Sequence, residues 1–238
     1  MKKHMKRLPA PRSLRITRKT AVWAVRPSPG PHPLGRSIPL LTLLRDFLHV
    51  ADNAREAVAL LTAGEVHVDG RVVRSSKFPV GLMDVVSLPG RKEHHRILLD
   101  HLGRLQPVLI ESSEAGWKLC RVEGKTTLPG GITQLNLHDG RNILVKKEHP
   151  ATGTTLKLQL PKQTIAATFP RTSGNLALLI GGKHAGEVGH LDQVLVSRTP
   201  RANVARFREG FDTIADYVFI IGKEAPEIRL PESPAVTA

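Results

Sequence analysis

The chain has 238 residues, with 35 Lys and Arg against 21 Asp and Glu, for a formal net charge of +14. A surplus of that size, with a pI near 10.5, is out of place in a typical metabolic enzyme and implies non-specific affinity for RNA or DNA. A single cysteine, Cys120, excludes an intramolecular disulfide framework and any site needing several thiolates, and no apolar run approaches the ~20 residues of a membrane-spanning helix. The chain therefore reads as a soluble, unexported protein of a reducing compartment, long enough for two or three small domains.

The first 36 residues hold ten cations (Lys2, Lys3, Lys6, Arg7, Arg12, Arg15, Arg18, Lys19, Arg26 and Arg36) and no acid; the first acid is Asp46. A segment of one sign, broken by Pro and Trp, reads as an arm that neutralises phosphates. Leu8, Leu14, Ile16, Val22, Trp23 and Val25, spaced among the charges, suggest that the arm orders and packs once bound. Pro27, Pro29, Pro31, Pro33 and Pro39 then forbid regular structure and make a linker able to lie on a surface.

From Leu40 the apolar residues Leu40, Leu41, Leu43, Leu44, Phe47, Leu48 and Ala51 recur at helical spacing and predict a helix over 40–50. Asp52 or Asn53 caps a second helix with the apolar face Ala54, Ala57, Val58, Leu60 and Leu61, and Gly64 stands where a left-handed cap is expected. Val66 and Val68 alternate with His67 into Asp69-Gly70, a type I′ hairpin signal, and a strand is expected over 83–88. The basic stretch from Gly90 to His101 is expected to be helical at its end.

Beyond Gln106 the signal is of short strands: PVLIES, WKLCRVEG, ITQLNLHDG, NILVKK and TLKLQL, then LALLIGG, GEVGHLDQVLV, NVARFREG and YVFIIGKE at about ten-residue spacing, the pattern of a small antiparallel barrel. The expected fold is α+β and multidomain. It comprises a basic arm (1–37), a helix–helix–hairpin domain (38–105), a central β-rich domain (106–170), a small β-barrel (171–225) and a frayed tail (226–238).

No set of residues offers catalysis: paired carboxylates and nucleophile–base arrangements are missing from the pattern. His94 and His95 are adjacent and diverge on a regular element, no carboxylates cluster near them to hold a metal, and Cys120 in WKLCRV reads as a small strand residue. GGKHAGEVGHLDQV is no nucleotide-binding loop, which would need Gly at Ala177 and Ser or Thr at His184.

The block over 39–88, with LLRDFL, NAREAVALLTAGEVHVDGRVV and GLMDVVSL, resembles the RNA-binding S-four domain. The resemblance implies that Arg45, Arg55, Arg71, Arg74 and Lys77 grip RNA, in keeping with the bidentate fit of guanidinium to phosphate and the anion preference of the helix start near Arg55. GGKHAGEVGHLDQV is similar to the KOW motif of small RNA-binding barrels, which would set Lys183 and His184 at an exposed loop tip, with Gly186 and Gly189 permitting sharp turns.

Taken in order, HMKRLPAP, RKTAVW, the Pro-rich segment, the helix–helix–hairpin block, LHDGRNILV, GGKHAGEVG and YVFIIGKE resemble the small-subunit ribosomal protein S-four-e family over 4–224, the type found in archaea and eukaryotes. The resemblance implies a structural role in the cytoplasmic ribosome, without catalysis, cofactor, metal, membrane or small-molecule substrate. Its implied partners are small-subunit ribosomal RNA and neighbouring small-subunit ribosomal proteins. Lys6, Arg7, Arg15, Arg18, Lys19 and Trp23 would lie against phosphates and sugars, with Trp23 stacking or anchoring the arm, and Arg141 would touch RNA too. Glu187 stands where other members carry Arg, leaving the KOW loop to Lys183 and His184, with Arg198, Arg201, Arg206 and Arg208 as compensating charges. Two other readings are an RNA-modifying enzyme, for which the blocks after Leu105 are too small, and a free-standing RNA-binding regulator or ribosome assembly factor.

Overall fold

The computed structural model describes residues 4–146 and 150–231, so Lys2 and Lys3 lie outside the described residues. The chain divides into two compact units, Met1–Leu98 with Arg104–Lys118, and Leu99–Gly103 with Leu119–Ala238.

In the first unit the basic arm has a fold of its own, where the sequence suggested a segment ordered only by its partner. Strands β1 (Met5–Lys6) and β2 (Trp23–Ala24) pair antiparallel, and Ala10 and Leu14 are buried between them in sequence. The organising group is Arg18. Its guanidinium donates to the carbonyls of Leu8 at 2.9 Å, Ala10 at 2.7 Å and Pro11 at 3.1 Å, tying a turn that has few apolar side chains to hold it.

Strand β3 (Ser37–Pro39) leads into α1 (Leu40–Thr42), which widens into a π-helical segment over Leu43–Phe47. The expected helix over 40–50 is therefore shorter and changes pitch. The Leu48 N–H reaches back five residues to the Leu43 carbonyl, and the wider turn keeps Leu40, Leu41, Leu43 and Leu44 all buried, more than one stripe of a regular helix would hide. Helix α2 (Ala54–Ala63) is capped by Asn53, whose Oδ1 accepts the Arg55 and Glu56 N–H groups at 2.9 and 3.0 Å, and it ends at Gly64 with φ +81°.

Five strands complete the unit: β4 (His67–Val68), β5 (Arg71–Val72), β7 (Val85–Leu88), β8 (Glu93–Leu99) and β9 (Leu105–Ile110), in the order β5-β4-β7-β8-β9, while β6 (Pro79–Gly81) pairs with β3. Asp69 and Gly70 take the positive φ values, 52° and 74°, that the tight hairpin demands. The helical end expected near His101 is instead strand β8. Its run Arg96-Ile97-Leu98-Leu99 is buried throughout, so it shows neither period, and pairing of Val85 with Arg96 decides for the sheet.

The interior of this unit is tied by charge as well as by apolar packing. After a short helix α3 (Ser112–Ala115), strand β10 (Trp117–Leu128) has as its second residue Lys118, fully buried, whose Nζ donates to Asp69 at 2.7 Å and Asp84 at 2.9 Å. Asp84 also accepts the Gly81 N–H and bonds His32 Nε2, both at 2.9 Å, while Asp69 accepts the Val85 N–H at 3.0 Å. Burial alone would raise the Asp84 carboxyl, but Lys118 and His32 outweigh it and hold the group well below the usual carboxylate range. Nearby, Arg96 donates to the Glu114 and Trp117 carbonyls at 3.0 Å and lies 4.5 Å over the Trp117 ring; burial, opposed by Glu114, lowers its pKa to about 10.

The second unit is nearly all strand. One sheet, ordered β12-β11-β10-β13-β14, joins β10 to β11 (Ile132–Leu137), β12 (Asn142–Val145), β13 (Thr155–Gln159) and β14 (Thr164–Phe169) over a core of Cys120, Val122, Leu135, Leu137, Leu156 and Leu158. The other, ordered β18-β17-β16-β15-β19, contains β15 (Leu176–Leu179), β16 (Val188–Leu195), β17 (Val204–Phe207), β18 (Asp212–Ile214) and the fully buried β19 (Val218–Gly222). Arg121 fastens the two, donating to the Asp216 and Val218 carbonyls at 2.7 and 2.9 Å. Among the described residues no helix is long and apolar enough to cross a membrane.

Replacing Lys118 with Ala leaves two carboxylates buried without their cation and is expected to destabilise the protein by about 3–5 kcal/mol, read by urea denaturation. Because the folded-state pKa of Asp84 lies below its unfolded value, its contribution is present above pH ~4 and lost as the pH falls further. The Asp84→Asn variant should therefore show a shallower loss of stability on acidification than the unaltered chain.

Candidate nucleic-acid interface

The arm and the first helices frame an open cleft of about 390 Å³ lined by Arg7, Arg15, Arg45, Asp46 and His49 among others. The three guanidinium groups are not equivalent. Arg45 forks onto the neighbouring Asp46 at 2.7 and 2.9 Å, a hydrogen bond that raises its pKa, and Arg7 donates to the Thr17 carbonyl at 2.7 Å. Arg15 is exposed and holds its charge toward the cleft.

Along the arm, Arg12 and Lys19 are exposed, as is Lys6, and Arg36 lies exposed at the end of the linker. Arg18, by contrast, is engaged by backbone carbonyls, so it shapes the arm and does not present its fork to solvent. Trp23 is 58% exposed, tilted against the His4 ring at 5.8 Å, with Lys6 Nζ 6.0 Å from its ring. An exposed aromatic ring with a cation beside it can stack a base and hold its phosphate.

Arg26 and Lys77 border a second recess, about 850 Å³, along the Pro-rich segment, where the Ser28 N–H donates to the Lys77 carbonyl at 2.8 Å. Arg55 sits exposed in the first turn of α2, and Arg71 and Arg74 are exposed on and after β5. Arg74 lies near Gly64, so Arg55 and Arg74 stand at opposite ends of α2, a helix about 15 Å long. Val58 and Val72, 43% and 46% exposed, add apolar surface to the same helix and hairpin.

In the second unit Arg141 is held by Asp139, Nε to Oδ2 at 3.2 Å, and is only partly exposed. Lys183 is exposed in the turn between β15 and β16. His184 departs from the expected open tip: it bonds Glu187 at 2.8 Å and stacks on Phe211. Arg198 and Arg201 are exposed in the segment between β16 and β17; Arg208 is exposed as well, and Arg206 is paired with Asp212 at 3.2 Å.

The fold also gathers Cys120, His138 and Asp139, with potential ligand atoms all within 4.8 Å, a cluster the linear spacing did not suggest. These groups satisfy one another and their neighbours. His138 Nδ1 accepts the Arg121 N–H at 3.2 Å, the Cys120 thiol donates to Asp139 at 3.6 Å, and Arg141 neutralises the carboxylate.

With this geometry in view, comparison with known proteins is decisive. The family model described as Ribosomal family S4e matches residues 91–165, the RS4NT domain model matches 1–35 and the S4 domain model matches 38–86. The small ribosomal subunit protein eS4 of Methanothermobacter thermautotrophicus is 46% identical over 234 residues, 97% of this chain and 96% of that protein. The eS4 protein of Ignicoccus hospitalis is 43% identical over 244 residues, again 97% of this chain and 96% of that protein. The chain belongs to the ribosomal S4e family. The crystal structure of the 30S ribosomal protein S4e from Thermoplasma acidophilum matches with a TM-score of 0.70 and 34% identity, covering 79% of this chain and 96% of that one.

Within this S4e chain the cations fall into two physical classes, and sequence reading missed the interior one. Lys118, Arg96 and Arg121 contribute to the surplus of charge yet are buried. No linear signal marks Lys118: residues 118–122 of β10 are all buried, on both faces of the strand, so alternation singles out none of them.

Replacing Arg55 or Arg71 with Ala should weaken binding of the full chain to small-subunit ribosomal RNA and lower the slope of log affinity against log salt by about one each, measured by filter binding. Arg18→Ala should act differently, opening the arm to protease before any effect on RNA is read.

Proposed function

We propose that this S4e chain is a structural, non-catalytic constituent of the small subunit of the cytoplasmic ribosome, where it binds and stabilises folded ribosomal RNA beside neighbouring small-subunit proteins. The observation that carries the reading is the surface of the amino-terminal arm, where Lys6, Arg12, Arg15, Lys19 and the exposed Trp23 occur without an acidic residue before Asp46. Membership of the S4e family and the names of its relatives point the same way.

The mechanism is neutralisation and positioning. Folding of RNA brings phosphates together against mutual repulsion, and cations fixed on a folded scaffold displace counterions while holding the geometry of the strands they touch. On this reading the chain works as an arm, an S4 domain over 38–105, a central β-rich domain over 106–170 and a KOW-type barrel over 171–225. The contact set is Lys6, Arg12, Arg15, Lys19, Trp23, Arg26, Arg36, Arg55, Arg71, Arg74, Lys77, Lys183, His184, Arg198 and Arg201. Arg7, Arg18, Arg45 and Arg141 take a supporting part, because their guanidinium groups already bond protein atoms.

Sedimentation of ribosomal particles in sucrose gradients of rising salt tests the proposal. The unaltered chain is expected to stay with the small subunit at one copy through high salt, and a chain with Arg12, Arg15 and Lys19 all changed to Gln should leave it at lower salt. Migration of the unaltered chain in the light fractions at moderate salt would instead support a regulator or assembly factor.

A further inference from the structure

The turn that carries Lys183 and His184 holds something more specific than charge. Phe207, 2% exposed, stacks on Phe211 with ring centroids 4.9 Å apart and planes 14° from parallel. Phe211 stacks in turn on His184 at 4.6 Å and 17°. The three rings form one column that begins in the core and ends, through the half-buried Phe211, at a His184 side chain 27% exposed.

The terminal ring is fixed in place. His184 Nδ1 and a Glu187 carboxylate oxygen lie 2.8 Å apart, and the Glu187 N–H donates to the His184 carbonyl at 3.1 Å. The turn itself cannot shift easily. Gly186, at φ +90°, donates to the Leu179 carbonyl at 2.8 Å, and a Cβ there would fall 1.8 Å from the Asp100 carbonyl oxygen. Tyr217 packs against Gly181 and Gly182 on the other side, where an added Cβ at Gly181 would meet its ring at 2.9 Å.

We infer that His184 is a stacking platform for an unpaired RNA base, which extends the Phe207–Phe211–His184 column by one member while Lys183 holds the adjoining phosphate. This rests on the proposal that the chain binds ribosomal RNA and makes one contact of it specific. His184 is the end member of the column and keeps 27% of its side chain exposed, and any base can stack on it because every base has a π-face. A ring already immobilised by Glu187 and Phe211 loses little freedom on binding, so the contact favours association more than a mobile side chain would. The neighbouring exposed cation selects a nucleotide over an aromatic side chain of a protein partner.

The test uses the full chain and a naked transcript of small-subunit ribosomal RNA, with affinity measured across a range of salt. His184→Ala should weaken binding about tenfold with an unchanged salt slope, in line with the ~1–3 kcal/mol that a base–aromatic stack contributes. His184→Leu, which still covers Phe211 but has no π-face, should weaken binding equally, and His184→Phe should restore it to within about twofold. Circular dichroism melting of each variant separates loss of the stack from loss of the fold.

Unaltered affinity in a folded His184→Ala chain overturns the inference, as does wild-type binding by His184→Leu or failure of His184→Phe to rescue. A defect seen only in assembled subunits, and never with the naked transcript, assigns the platform to a protein neighbour and also overturns it. Arg55→Ala, run alongside, reports on the wider RNA-binding proposal: if it too leaves affinity and slope unchanged, the failure lies there and not in the stack.

Discussion

The buried ammonium of Lys118 between Asp69 and Asp84 is the constraint on which the first unit depends. It joins three places that are far apart in sequence: the hairpin turn at Asp69, the turn before β7 at Asp84 and the start of β10. Through Asp84 it also reaches His32, and so pins the Pro-rich linker to the sheet. An ion pair so far from water needs further hydrogen-bond partners to be stabilising, and here the backbone N–H groups of Gly81 and Val85 supply two of them to the carboxylates. A protein of net charge +14 has thus placed two of its 21 acids where they neutralise an interior cation rather than its surface.

That allocation gives meaning to the surface. Cations that hold the protein together, such as Arg18 on its ring of carbonyls, Arg96 against Trp117 and Arg121 across the second unit, direct their guanidinium groups to protein acceptors, although the buried Arg96 Nε meets none. Those left to solvent, such as Arg12, Arg15, Lys19, Arg55, Arg71 and Arg74, lie on the arm that Arg18 ties together and on the capped helix α2 and the hairpin that follows it. Fixed cations suit the recognition of folded RNA, because charges already spaced for the phosphates lose less entropy than charges on a loose tail.

The aromatic residues follow a similar economy. The whole chain has only nine Phe, Trp and Tyr side chains. Phe207 and Phe211 are committed to one column, Trp117 to Arg96, and Trp23 is left mostly exposed beside Lys6 and His4. Exposing a large ring has no packing benefit, and its position on the most basic segment of the chain suits the proposed contact with RNA.

Much was legible before any coordinates. Helix α2 with its Asn and Gly caps, the Asp69-Gly70 hairpin and the succession of short strands after Gln106 follow from local rules, since caps and turns are set by a few neighbouring residues. The basic arm, the absence of a membrane-length apolar run and the family are likewise written in composition and order. Strand β8 was not, because its run from Arg96 to Leu99 is buried on all sides and carries no period to read, and the π-helical widening over Leu43–Phe47 was not, because apolar spacing signals a helix but not its pitch. Nor does the chain of letters distinguish Arg18 or Lys118 from any surface cation: the partners that claim them, four nearby carbonyls in one case and two distant aspartates in the other, meet only in three dimensions. Sequence by itself determined that this protein is cationic, where α2 with its caps and the Asp69-Gly70 turn fall, and which family it joins. Tertiary structure alone decided which cations face solvent and that His184 closes a column of rings, because burial and pairing are set by residues remote in the chain.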